Sequence, residues 1–109
     1  MKYSKEVIQM GNKLLKISCR KAIERSRQTV GNYKNVRCSF KSPIKFFKSI
    51  RDNKKLYDAW LEITKLYIEN EKKLAYRPTI DRIDEKGHYF IKNIQMLPFG
   101  QNSAKAHKK

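Results

Sequence analysis

The chain has 109 residues, and 26 Lys/Arg against 10 Asp/Glu give it a formal charge of +16 at pH 7. That length supports one domain with a modest core, and no apolar run approaches the ~20 residues of a membrane-spanning helix. So large an excess of cations repels itself unless a polyanion neutralises it, which makes nucleic acid the expected partner and an anionic membrane surface the weaker competitor.

The charge is uneven. Fourteen Lys/Arg stand against two acids before Asp52, and twelve against eight from there on. Lys2 and Lys5 lead into a charged amphipathic stretch, not an apolar one, so no signal peptide is expected and the chain reads as cytoplasmic. Cys19 and Cys38 are single and far apart, and no CxxC pair exists. That spacing predicts two reduced thiols and no structural zinc.

In chain order, Ser4 can cap a first helix reaching to about Gln28. Val7, Ile8, Leu14, Leu15, Cys19 and Ala22 share one side of it. Lys2, Lys13, Lys16, Arg20 and Arg27 share the opposite side with almost no interleaved acid, which predicts a phosphate-tracking face. Thr29 to Pro43 reads as a loop with an extended piece near Arg37 to Lys41. A short helix should follow Pro43 and bury Ile44, Phe47 and Ile50, with Phe46 as a further candidate. Asp52 or Asn53 should cap a third helix to about Leu74, with Leu56, Ala59, Trp60, Ile63, Leu66 and Tyr67 inside.

Pro78 ends the helical tendency. Thr79 to Ile83 alternates as a strand does, Asp84 to Gly87 is turn-like, and Tyr89 to Leu97 supplies a second extended piece. After Pro98, Gly100 to Lys109 reads as a short basic helix. The expected class is α+β. Residues 1–76 would form a basic helical scaffold packed behind residues 77–109, a two-stranded hairpin with a closing helix.

The side chains at the ends of those last elements carry the chemistry. Asp81 at a strand end and Asn102 on the closing helix are oxygen donors of the kind Mg2+ or Mn2+ accepts with water filling the remaining positions. Asn93 can hydrogen-bond across the loop between the strands and fix its shape. A divalent cation, a positioned water and cationic groups on the phosphate are what phosphodiester hydrolysis requires. Taken singly, Asp and Asn are also common turn and cap residues.

The ordered set, with Thr79-Ile80-Asp81-Arg82-Ile83-Asp84, Gly87-His88-Tyr89 and Asn93-Ile94-Gln95, resembles the phage and bacterial HNH endonucleases with their ββα-metal core. That resemblance covers about the last thirty residues in detail. It implies that Asp81 and Asn102 are metal ligands, that Asn93 supports the loop, that Lys105 follows Asn102 as the family's helix lysine, and that the protein cuts DNA in a bacterial or phage-infected cell. DNA is favoured over RNA. A nickase would act as a monomer and a double-strand cutter most simply as a homodimer.

One position departs from the family. Its general-base histidine is replaced by Arg82, which stays protonated and suits a grip on phosphate instead. The alternatives for activating water are His88, Asp84 or the cation itself. The remaining alternative is an HNH-like protein that binds nucleic acid and does not cut it. His88 also reads as an exposed loop imidazole, and His107, Lys108 and Lys109 as a charged tail.

Overall fold

Ser4, Ser42 and Asn53 start three helices by the same means: a side-chain oxygen accepts a hydrogen bond from the N–H three residues on. Ser4 Oγ takes Val7 N at 3.2 Å, Ser42 Oγ takes Lys45 N at 3.3 Å, and Asn53 Oδ1 takes Leu56 N at 3.1 Å. Each such cap is worth about 1 kcal/mol. The computed structural model describes residues 2–27, 37–84 and 86–106, with the side chains of 105 and 106 outside that description. It contains α1 (Lys5–Ser26), α2 (Pro43–Arg51), α3 (Lys54–Glu69), β1 (Pro78–Arg82), β2 (Ile94–Pro98) and α4 (Phe99–Ala106). The expected helix end at Gln28 and the loop residues Gly31, Asn32 and Asn35 lie outside the described residues, as do His107, Lys108 and Lys109.

α3 stops earlier than its sequence suggests. Glu71 and Lys72 adopt left-handed φ values of 58° and 59°. Lys72 N–H then reaches Tyr67 O at 2.8 Å, and the Asn70 side-chain amide donates to Leu66 O at 2.7 Å, so the orphan carbonyls of the last turn are satisfied. A single 3-10 turn, Leu74–Tyr76, carries the chain to β1.

The core forms where α1, α2 and α3 meet. Trp60, Phe46, Leu15 and Ile50 are fully buried. Trp60 Nε1–H donates to Gly11 O at 2.8 Å, and a Cβ on Gly11 would lie only 2.7 Å from Leu61 Cδ2. Glycine therefore sets the close approach of α1 to α3. Two core expectations fail. Ile44 is 50 % exposed and Leu66 is 43 % exposed. On α2 the buried face is Phe46, Phe47 and Ile50, at i, i+1 and i+4, and Ile44 lies just past the edge of that face, beyond Phe47. On α3, Leu61 and Thr64 take the inner positions that Leu66 was expected to share.

β1 and β2 pair antiparallel, from Pro78 opposite Pro98 to Arg82 opposite Ile94. Ile80, Ile94 and Met96 are buried in the common core, with α3 in contact with both strands and α1 with β1. The expected extended piece near Arg37 is present. Cys38 bridges in parallel to Tyr89, with Tyr89 N–H on Arg37 O at 2.8 Å and Ser39 N–H on Tyr89 O at 3.0 Å. α4 follows β2 directly, and Phe99 N–H returns to Arg77 O at 2.7 Å. The class is mixed α+β, four helices with one two-stranded hairpin among the described residues, and none of the described helices is long and apolar enough to cross a membrane.

Candidate functional site on the outer face of the hairpin

Side chains alternate across a strand, so Thr79 and Asp81 share the face opposite Ile80. Across the pair they meet Leu97 and Gln95. The Gln95 side-chain amide donates to Asp81 Oδ2 at 2.8 Å. Asp81 is 8 % exposed, and a carboxylate so enclosed needs such a donor. Thr79 Oγ1–H donates to Leu97 O at 2.6 Å and accepts from the Asn102 amide at 3.1 Å. Asn102, near the start of α4, is thus tied to the face that carries Asp81, one two-residue step (about 6.5–7 Å) along the strand.

Each amide donates an N–H to a neighbour on this face, and Gln95 Oε1 and Asn102 Oδ1 are acceptors. With the Asp81 carboxylate they form an all-oxygen donor set, the kind that Mg2+ and Mn2+ prefer. Among the described residues no three His, Cys, Asp or Glu stand together. A hard cation on this face would rest on one carboxylate, amide oxygens and water.

Asn93 organises the loop, as its place in the sequence suggested. It is 7 % exposed; Oδ1 accepts from Asp84 N at 2.9 Å, and Nδ2 donates to His88 O at 2.9 Å and Asp84 O at 3.2 Å. Ile83 N–H adds a bond to Asn93 O at 2.7 Å. Gly87 packs against this amide, where a Cβ would sit 2.7 Å from Asn93 Nδ2. Asp84 accepts from Lys86 N at 3.0 Å and so serves the turn.

Arg82, next in sequence to Asp81, points to the other face. Its Nη1 donates to Gly87 O at 3.0 Å, and its guanidinium lies 5.4 Å over the Tyr89 ring. These two contacts latch the side chain onto the loop. His88 is exposed, and its Nδ1 accepts from Arg37 N at 2.9 Å. That bond ties the imidazole of the loop to the extended piece at Arg37.

The basic stripe of α1 is on the surface: Lys13, Lys16, Arg20 and Arg27 are all exposed. Lys16 Nζ stands 5.1 Å over the Phe47 ring of α2, and Arg20 makes a loose 3.8 Å pair with Glu24. None of these four residues lines the cleft beside β1. The side chain of Lys105 lies outside the described residues.

That cleft, of about 430 Å3, opens between α1, β1 and α4. Lys21, Arg25 and Arg77 line it together with Thr79, Asn102 and Ser103, and no acid among the described residues does. Sequence reasoning missed all three cations. The available signal was a second stripe, Leu14, Ile17, Ser18, Lys21 and Arg25, about a third of a turn around α1 from the first.

Burial pushes the Cys19 thiol up to about 12, with the nearby Cys38 thiol adding to the effect, and burial raises Cys38 as well. Both are held as neutral thiols at neutral pH, unsuited to nucleophilic attack or metal ligation. Comparison with protein-family models, curated proteins and solved structures returned no match for this chain.

Proposed function

We propose that the protein is a metal-dependent DNA endonuclease or nickase of the HNH type, with Asp81 and Asn102 as the protein ligands of Mg2+ or Mn2+. The observation that carries this reading is the shared face: the Asp81–Gln95 pair and the Thr79–Asn102 pair stand side by side on one face of the hairpin, at the edge of a basic cleft. A bound divalent cation would neutralise charge on the scissile phosphate and acidify a water. Gln95 orients the carboxylate, Thr79 orients the Asn102 amide, and Asn93 holds the loop in shape. Lys21, Arg25 and Arg77 attract and seat the phosphodiester backbone.

Incubation of supercoiled plasmid with the protein and Mg2+ or Mn2+ tests the proposal. Nicked or linear product is expected, and EDTA should prevent it. Plasmid that stays supercoiled with either metal across pH would overturn it.

A second reading has one observation in its favour. Arg82 occupies the position of the family's general base, and the described imidazole His88 has its Nδ1 engaged by Arg37 N. An HNH-like protein that binds DNA without cutting it would show steep salt dependence of binding and no product.

A further inference from the structure

The walls of the cleft between α1, β1 and α4 combine two chemistries. Lys21, Arg25 and Arg77 are cationic, and Ile17 and Phe99 are apolar. The Arg77 guanidinium lies 5.7 Å over the Phe99 ring, so a charged plane and an aromatic ring meet in one wall. The volume of about 430 Å3 falls in the range, roughly 300–1,000 Å3, of pockets that take one small ligand.

A continuous duplex can offer such a cleft only its phosphates, because its bases are stacked and paired inside. An unpaired nucleotide offers a phosphate to the cations and a base to the ring, and both halves of the lining are then used. We propose that the cleft holds one unpaired nucleotide of a nucleic-acid strand, phosphate on Lys21, Arg25 and Arg77 and base against Phe99 and Ile17. The protein thereby selects single strands, overhangs or extruded bases over intact duplex. Thr79 and Asn102 belong to both the cleft and the Asp81 face, so a strand seated here is delivered to that face. The inference deepens the nuclease reading and rests on it for the ligand being nucleic acid.

The test is binding in EDTA, followed by fluorescence anisotropy with three probes of one sequence: a short single strand, a duplex with a single-stranded overhang, and a blunt duplex. The strand and the overhang should bind at least about fivefold more tightly than the blunt duplex, the least that one stacked base contributes. Deoxyadenosine monophosphate should compete better than inorganic phosphate at equal concentration. Lys21→Ala and Arg77→Ala should erase the preference, while Lys65→Ala on the exposed side of α3 should keep it. Equal binding of all three probes, or variants that weaken all three by one factor, would overturn the inference. Should Arg77→Ala fail to fold, Lys21→Ala on the α1 surface decides the outcome alone. A preference without cutting would leave this inference standing and overturn the nuclease reading. Cutting of blunt duplex without any preference would do the reverse.

Discussion

Asp81 and Gln95 face each other across the β1–β2 pair, and the glutamine amide donates to Asp81 Oδ2 at 2.8 Å. The bond orients an enclosed carboxylate and leaves the Gln95 carbonyl as an additional oxygen on the same face. Groups that orient a metal ligand typically matter 10–100-fold when removed, and the ligand itself matters more. Asp81→Ala is therefore expected to lower metal-dependent cleavage at least about 100-fold, and Gln95→Ala about 10-fold or more. Cleavage rates measured beside binding in EDTA separate loss of chemistry from loss of DNA. Unchanged cutting by Asp81→Ala would remove that residue from the mechanism.

Asn93 makes three side-chain hydrogen bonds across the loop, to the two backbone groups of Asp84 and to His88 O. Asn93→Ala leaves those groups without partners, at an expected cost of about 2–3 kcal/mol. Urea denaturation gives the value directly. A loss below about 0.5 kcal/mol, the scale of an indifferent surface change, would show that the loop holds its shape without this residue.

The single tryptophan offers a stability probe of its own. Trp60 is fully buried and its indole N–H is bonded to Gly11 O at 2.8 Å. Native emission should be blue-shifted and should move red on unfolding. Truncation to Trp60→Ala should cost about 3–5 kcal/mol, enough to unfold a domain of this size under mild conditions. A circular-dichroism melt like that of the parent chain would contradict the packing described.

Cys19 predicts a pH dependence. Its folded pKa of about 12 lies above the ordinary 9.0, so the neutral thiol favours the native state. The associated stability is complete below pH 9 and is lost as pH rises towards 12, because the unfolded chain gives up the proton first. The stability advantage of the parent over Cys19→Ala should shrink across that window. An advantage that grows with pH would contradict a buried, neutral thiol.

Much of this architecture is legible along the chain. Ser4 and Asn53 announce their helices because capping chemistry is local, and Asn93 announces the loop because few other side chains can bond both ways across it. Ile44 and Leu66 mislead because a helical wheel gives the apolar side of a helix but not the width of the neighbour that covers it. The cleft is invisible for a related reason. Lys21 and Arg25 gain their place from α1 crossing beside β1 and α4, and nothing local encodes that crossing. The exposed His88 ring is legible as a loop imidazole, but its partner, Arg37 N, is distant in sequence and is brought to it beside the Cys38–Tyr89 bridge.

The most direct measurement of the proposed site is Mn2+-induced broadening of backbone amide signals in a 15N-labelled sample. Broadening centred on residues 79–82, 94–96 and 100–103, and abolished by Asp81→Ala, is the predicted result. Broadening centred elsewhere, or left unchanged by Asp81→Ala, would contradict a divalent cation held between the Asp81 carboxylate and the Asn102 amide.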